Sequence, residues 1–489
     1  MTSVAIAAPN VAAAEAGEAI VHAGGNALDA ALAAAFVTMV NEVGLVSPSA
    51  GGFLTIQPPD GSAPVTVDGW MDMPGRGAPD SLGRGTWDIH TAYGGGVTVT
   101  VGPGSVATHG AIAAFGEAHR RWGHLPWAEL VAPAIDVARG GFRLSSASRY
   151  YLEYVDESIF GWDEASHAAL RGPDGTIGDH LLVVPDLAES LERIARHGPQ
   201  ELYTGELGRQ VARDVLDRGG ILGPKDLAAY EPVVRPALTA RMAGWTLGTN
   251  PPPAVGGVCV AAMLRLLAGH PLSDREHLVR VQRRVLGERL RVFDHTDDLE
   301  RDAAAFLDLV DREGLAVLES GSTAHVSTTD AEGTACALTI SSGYSSGMIA
   351  RGTGIWLNNC LGEQELNPRG LHGLPPGSRL LSNMAPTVGH HTDGGVLAIG
   401  SPGADRITTA IVQALTGLVE DGLSLQGAVD HPRVHVHRAG TPDEEVKVED
   451  PEDLTMYFGG VAATMLTGGG RLVGAADPRR AGAVRVVAR

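Results

Sequence analysis

Thr323-Ala324-His325-Val326-Ser327-Thr328-Thr329-Asp330 is the stretch on which the reading of this 489-residue chain turns. The alternation from His325 to Thr329, in a segment rich in threonine, reads as a β-strand. A threonine hydroxyl in mid-chain is a poor nucleophile with no base of its own. A cut just before Thr323 would give that residue a free α-amine, with an unperturbed pKa of roughly 7.7–8.0. The amine can then act as general base toward its own hydroxyl, so that one residue supplies both nucleophile and base. Ser322–Thr323 is therefore a candidate cleavage site and Thr323 a candidate catalytic residue.

The sequence on either side is that of a globular protein. Its length invites two domains or one large, intimately folded unit. Hydrophobic residues make up 44% and charged residues 19%, a composition that supports a sizeable core. Lys and Arg number 37 against 57 Asp and Glu, a net charge of -20. Such acidity argues against nucleic acid or an anionic membrane as partner. The strongly apolar run Ala30 to Val40 falls far short of the ~20 residues a membrane span needs. No basic-then-apolar leader precedes the first recognisable element, so a cytoplasmic location is expected. Cys259, Cys336 and Cys360 are scattered, without metal-ligand spacing, which fits a reducing compartment. His431, His435 and His437 include a His-x-His pattern, yet no metal and no cofactor are expected.

Before the central stretch, two helices open the fold. Val11 to Ala23 ends at Gly24-Gly25, a pair suited to a left-handed C-terminal cap. Asn26 caps the next helix, Ala27 to Val40, with Asp29 three positions on. That second helix is apolar nearly all round and should be buried. Asp186 to His197 reads as a helix with Leu187, Leu191 and Ile194 on one face. Asn250-Pro-Pro-Pro-Ala-Val-Gly-Gly257 is too rich in Pro and Gly to be helical. Ser273 to Ser322 is charged and helix-rich, and its plain reading is a solvated face. After Thr323 the texture turns to strands: Ala335 to Ser341 follows a hairpin turn at Asp330 to Thr334, and Val396 to Ile399 is a short buried strand. It runs through Gly400-Ser401-Pro402-Gly403-Ala404 into a helix from Asp405 to Glu420. Backbone N–H groups of Gly403 and Ala404 lie at the positive end of that helix, free to donate to an oxyanion.

Several of these segments, in this order, resemble the γ-glutamyltranspeptidase family of N-terminal-nucleophile hydrolases. Thr323 to Asp330 is similar to the family's Thr-Thr-His-x-Ser-x-x-Asp, and Gly24-Gly-Asn-Ala-Leu-Asp-Ala-Ala31 to its Gly-Gly-Asn-Ala-Val-Asp-Ala-Ala. Val101 to Val106, Asp226 to Pro232 and Asn250 to Gly257 match as well. The resemblance implies an α+β fold, a four-layer αββα sandwich, made by self-cleavage into a large part, 1–322, and a small part, 323–489. It implies partnership of the two subunits of one precursor and a small-molecule amide or γ-glutamyl-like substrate. Catalysis would run through an acyl-enzyme on Thr323, with Gly403 and Ala404 at the oxyanion.

The same resemblance exposes departures around the substrate. Ser341 stands where the family has a second threonine that hydrogen-bonds the nucleophile's amine. Arg379-Leu-Leu-Ser-Asn-Met-Ala-Pro-Thr387 puts Ser382 and Asn383 where paired serines hold the substrate carboxylate. Trp70, in Asp68-Gly-Trp-Met-Asp-Met-Pro74, falls at the place of the arginine that grips that carboxylate, and Trp cannot replace its charge. In Trp356-Leu-Asn-Asn-Cys-Leu-Gly-Glu363, Cys360 replaces a glutamine and Glu363 stands in for the aspartate that meets the α-amine. These differences predict an altered, non-glutathione acyl specificity. The alternatives are a true γ-glutamyl transferase with a relocated grip, a natural-product homologue cleaving a C–C bond, and an inactive binding protein of the same fold.

Overall fold

A computed structural model describes residues 3–79, 83, 85–93, 96–313, 324–403 and 406–488. The chain order begins β1 (Val4–Ala8), α1 (Val11–Ala23), α2 (Ala27–Asn41), β2 (Gly51–Gln57) and β3 (Val65–Gly69). It continues with β4 (Val233–Pro236), β5 (Leu238–Met242), β6 (Trp245–Thr249), α3 (Val255–Leu267) and α4 (Arg275–Glu288). The later elements are β7 (Ala324–Asp330), β8 (Ala335–Ser341), β9 (Thr387–His391), β10 (Val396–Gly400) and α5 (Arg406–Val419). The chain closes with β11 (Ala462–Leu466), β12 (Leu472–Ala476) and β13 (Ala483–Val487).

Among the described residues, seven of these strands form one antiparallel sheet in the order β13-β1-β7-β8-β2-β3-β4, and six form another in the order β12-β11-β10-β9-β6-β5. The two sheets pack face to face, with α1 and α2 on the outer side of the first and α3 and α5 on the outer side of the second. This is the αββα sandwich.

Period-two alternation sorts each strand between its two neighbouring layers. On β7, Val326 enters the core beneath α2 and the Thr328 hydroxyl donates to the Ala27 carbonyl of α2 at 2.8 Å. The odd-numbered residues face the other sheet: Ser327 donates to the Ala462 carbonyl and Thr329 meets the Thr464 hydroxyl at 2.8 Å. On β8, Cys336, Leu338 and Ile340 join the helix-side core. Ala335 and Ala337 pack between the sheets with Val388, Val396, Ala398 and Leu466. Small and hydroxylic side chains suit that middle layer, where two pleated sheets must approach closely.

The helix ends follow their local chemistry. Asn26 accepts from the Asp29 N–H at 3.0 Å and Asp29 accepts from the Asn26 N–H at 3.2 Å, a reciprocal capping box. Gly24 closes α1 in the left-handed conformation at φ 112, and every residue of α2 is buried. The helix read from Asp186 begins at Leu187, because Asp186 is its N-cap. Asp405 lies outside the described residues, and the helix after it ends at Val419. The charged stretch from Ser273 is helical as expected. It is more than a solvated face, since Leu278, Val281, Val285 and Leu286 of α4 are buried.

Candidate active site

β7 and β8 form the ladder that positions the site. Ala324 pairs with Ile340, so the pairing runs to within one residue of Ser341. On its other edge, β8 pairs Ser341 with Gly51 of β2. Ser322, Thr323 and Ala404 lie outside the described residues.

Ser341 is buried, and its hydroxyl accepts from the Gly343 N–H at 3.0 Å. The turn it caps continues to Tyr344, whose N–H donates to Asn359 Oδ1 at 2.6 Å. Asn359 also donates through Nδ2 to the Thr100 carbonyl at 3.1 Å. Its neighbour Asn358 is clamped by Ser49, Ala107 and Cys360. These two asparagines fix the start of the short 3-10 turn Cys360–Gly362, beyond which Glu363 points back at the Ser341 turn. A Cβ on Gly343 would stand 3.2 Å from Glu363 Oε1. Glu363 is 1% exposed and its Oε1 has no hydrogen-bond partner. Burial, reinforced by the neighbouring Glu365, lifts its carboxyl to about 8, so it is mostly protonated near neutral pH. Cys360 is buried beside it, and burial raises its thiol well above the ordinary range.

Trp70 closes the other side. Its ring stacks on Phe53 with centroids 6.1 Å apart, and its Nε1–H donates to the Leu381 carbonyl at 2.8 Å. At 2% exposure it forms a wall behind the site, and its reach toward a substrate runs through the Leu381–Asn383 segment. Ser382 is held there: its hydroxyl accepts from the Met384 N–H at 3.3 Å and its carbonyl from the Gly256 N–H at 3.1 Å, at the first turn of α3. Asn383 differs from all its neighbours. It is 3% exposed, yet both its amide nitrogen and its oxygen are without partners. A buried primary amide forgoing its hydrogen bonds is costly unless something else satisfies them.

Arg379, four residues before Asn383, is committed elsewhere. It donates to Asp68 Oδ1 at 2.9 Å, the Trp70 carbonyl at 3.1 Å, the Tyr230 hydroxyl at 2.9 Å and the Glu231 carbonyl at 3.0 Å. It also pairs with Asp72 at 2.7 Å, where burial outweighs the ion pair and lifts Asp72 to about 6. This arginine pins the Asp68–Pro74 segment to the Ser382 loop. Sequence reading missed that role, which joins residues far apart in the chain. Arg351 is exposed and paired with Asp214 at 3.1 Å.

The turn after β10 carries Gly403. Gly403 has φ 122 and a Cβ there would stand 2.7 Å from the Gly459 Cα, so both conformation and space demand glycine. Its carbonyl accepts the Arg406 N–H at 3.0 Å, at the start of α5. Gly400, at the end of β10, lets His325 lie directly against it: a Cβ would fall 2.3 Å from His325 Cε1. His325 is bonded to Thr339 at 2.7 Å and Ser327 at 2.8 Å. Burial drives it down to about 3, which leaves it a neutral spacer between the sheets.

The structure thus joins Ser341, Cys360 and Glu363 on one side, and Trp70, Ser382 and Asn383 on the other, across the Gly51–Ser341 pair. His325 and Gly400 connect this ladder to the Gly403 turn. A family model described as gamma-glutamyltranspeptidase matches residues 13–487. The chain belongs to the γ-glutamyltranspeptidase family. It is 28% identical to the glutathione hydrolase proenzyme of Escherichia coli K12, over 97% of this chain and 90% of that protein. It is 30% identical to the acylase ACY 1 proenzyme of Pseudomonas sp. strain V22, over 97% of this chain and 87% of that protein. The crystal structure of cephalosporin acylase from Bacillus halodurans superposes with a TM-score of 0.79 at 21% identity, covering 99% of this chain and 96% of that one. That likeness shows that the two share the αββα fold. The family's chemistry is hydrolysis and transfer, which makes this member a hydrolase or transferase. No helix among the described residues is long and apolar enough to cross a membrane.

Proposed function

We propose that the chain cleaves itself between Ser322 and Thr323 and then works as a threonine amidohydrolase or acyltransferase whose acyl donor is not glutathione. In the precursor, the Thr323 hydroxyl attacks the Ser322 carbonyl; the Ser322–Thr323 C–N bond breaks, which frees the Thr323 amine and leaves an ester, and water hydrolyses that ester to a Ser322 carboxylate and a free Thr323 hydroxyl. In the mature enzyme that amine takes the hydroxyl proton as Thr323 Oγ attacks an amide carbonyl. N–H groups of the Gly403-Ala404 turn receive the oxyanion, and an arrangement of this kind is worth roughly 3–4 kcal/mol per donor. The amine leaves, and water or a second amine resolves the ester. Ser341 would hydrogen-bond the Thr323 amine.

The observation that carries this reading is the β7–β8 register. Thr323 precedes Ala324, and Ala324 pairs with Ile340 next to Ser341. The proenzyme names of the relatives support cleavage. Altered specificity rests on charge. Among the described residues around Ser382 and Asn383, Arg379 is the nearby cation in sequence, and it is spent on Asp68 and Asp72. What faces the substrate is the unpartnered amide of Asn383 and the mostly protonated Glu363. A glutamyl donor needs a cation for its α-carboxylate; a neutral acyl group bearing hydrogen-bonding atoms does not.

A denaturing gel with intact-mass analysis tests cleavage: wild type should give two fragments, the smaller beginning at Thr323, and Thr323→Ala one chain. Kinetics on a γ-glutamyl anilide beside neutral acyl anilides test specificity. An active but uncut wild type would end the proposed mechanism, and efficient, saturable γ-glutamyl turnover would end the altered specificity.

A further inference from the structure

On the second sheet's outer layer, away from the Ser341 ladder, two histidines and an aspartate meet where α3 turns into α4. His270 lies in the connecting loop, Asp274 is the N-cap of α4, and His277 sits in its first turn. One ligand atom from each lies within 4.8 Å of the others. His270 Nδ1 is 3.5 Å from Asp274 Oδ2. The two imidazoles lie face to face, with centroids 3.8 Å apart and planes 20° from parallel. Ligands sharing one tetrahedral ion at about 2.1 Å stand roughly 3.4 Å apart. The His270–Asp274 pair already has that spacing, and rotation of half-exposed side chains can close the rest.

The surroundings set these groups up as ligands. His277 Nε2 is 2.9 Å from the Leu266 carbonyl, one of the last carbonyls of α3 and free of an intrahelical partner. A carbonyl only accepts, so Nε2 carries the proton and Nδ1 presents its lone pair. A ring N–H anchored on a backbone carbonyl is the usual support of a metal-binding histidine. Asp274 Oδ1 is used as the cap, accepting from the His277 N–H at 3.1 Å, which leaves Oδ2 to face His270. The local field is mixed: the positive N-terminus of α4 opposes a cation, offset by the Asp274 carboxylate that caps it. The negative end of α3 points here, and Glu420 and Asp421 fix the loop through the Gly269 and Leu272 N–H groups, each at 3.0 Å. Arg280 is the competing charge: its Nη2 stands 3.4 Å from His277 Nδ1, while its other nitrogen is held by Glu276 at 2.6 Å. That side chain is half-exposed and can leave with Glu276.

We propose that His270, Asp274 and His277 form a binding site for a divalent transition-metal ion of the zinc type, with solvent completing the coordination. Two imidazoles and one carboxylate select zinc, nickel or copper over magnesium or calcium. Such an ion would tie the loop to both helices and stiffen the corner of the layer.

The test is calorimetric titration of zinc chloride into metal-stripped, full-length protein, beside His270→Ala and Asp274→Asn. Asparagine keeps the N-cap and removes only the charge. Wild type should take up one zinc per chain, with a thermal midpoint that rises on adding zinc. Each variant should lose at least tenfold in affinity and most of that rise, with its metal-free midpoint unchanged. Magnesium should give neither effect. No saturable zinc uptake by wild type would overturn the proposal. So would equal affinity and stoichiometry in both variants, which would place the zinc on other histidines. If one variant fails to fold, the other decides.

Discussion

Replacing Glu363 by glutamine should stabilise the protein near neutral pH while leaving it almost unchanged in mild acid. The side chain is 1% exposed, one oxygen has no partner, and burial lifts its carboxyl from the ordinary 4.5 to about 8. The sign follows from proton counting. Between those two values the folded protein holds a proton that the unfolded chain has released, so stability falls as pH rises through this window. At 1.36 kcal/mol per pH unit, the cost of keeping Glu363 is about 1 kcal/mol at pH 5 and about 3 kcal/mol at pH 7, and it levels off above pH 8. Glutamine cannot ionise and escapes that cost. The clean assay is urea denaturation at pH 5, 6, 7 and 8, with and without Glu363→Gln, both in a Thr323→Ala background intended to keep one chain. The difference between the two proteins should grow by about 2 kcal/mol from pH 5 to pH 7. Parallel pH profiles would show that Glu363 ionises freely in the folded state, and the neutral-pocket reasoning would fall with it.

Two further substitutions probe the site's walls. Gly403→Ala forces a Cβ to 2.7 Å from the Gly459 Cα at φ 122, so turnover by the folded enzyme should drop about a hundredfold, the scale of a lost oxyanion donor. Near-normal turnover measured beside circular dichroism would remove this turn from the site. Trp70→Phe keeps the stack on Phe53 but strips the Leu381 carbonyl of its donor, costing roughly 1–3 kcal/mol of stability. It should also raise KM for the acyl donor as Ser382 and Asn383 loosen; an unchanged KM in a destabilised protein would confine Trp70 to the core.

What could be read from the sequence was what is local. A capping box needs two residues three apart, and Asn26 and Asp29 announce it without help from the rest of the chain. Alternation along Ala324–Asp330 and Ala335–Ser341 reveals two strands, because a sheet buried on both faces still separates bulky from small side chains by parity. The buried face of α4 was less legible, since its arginines dominate the composition while its apolar residues do the packing. Arg379 was read as part of a motif and not as an anchor. Its partners Asp68 and Tyr230 lie 311 and 149 positions away, and no local pattern reports such distances.

The substrate pocket shows why a residue-for-residue comparison stops short of chemistry. Trp70 standing at an arginine's place suggests an aromatic surface offered to the acyl group. The structure turns that indole into a wall, its N–H spent on Leu381. The proposed loss of positive charge at that place rests on two causes that act together. The position itself carries no cation, and the arginine nearest to Asn383 in sequence is locked between two buried carboxylates. Freeing Arg379 for a substrate would take the ion pair from Asp72 and leave Asp68 to Arg235 alone, and breaking a buried pair in this way costs about 3–5 kcal/mol. A charge-assisted hydrogen bond to a substrate carboxylate returns only about 1.5–3 kcal/mol. The balance keeps Arg379 where it is, which is why the proposed reading has Asn383 meet the substrate as a neutral amide.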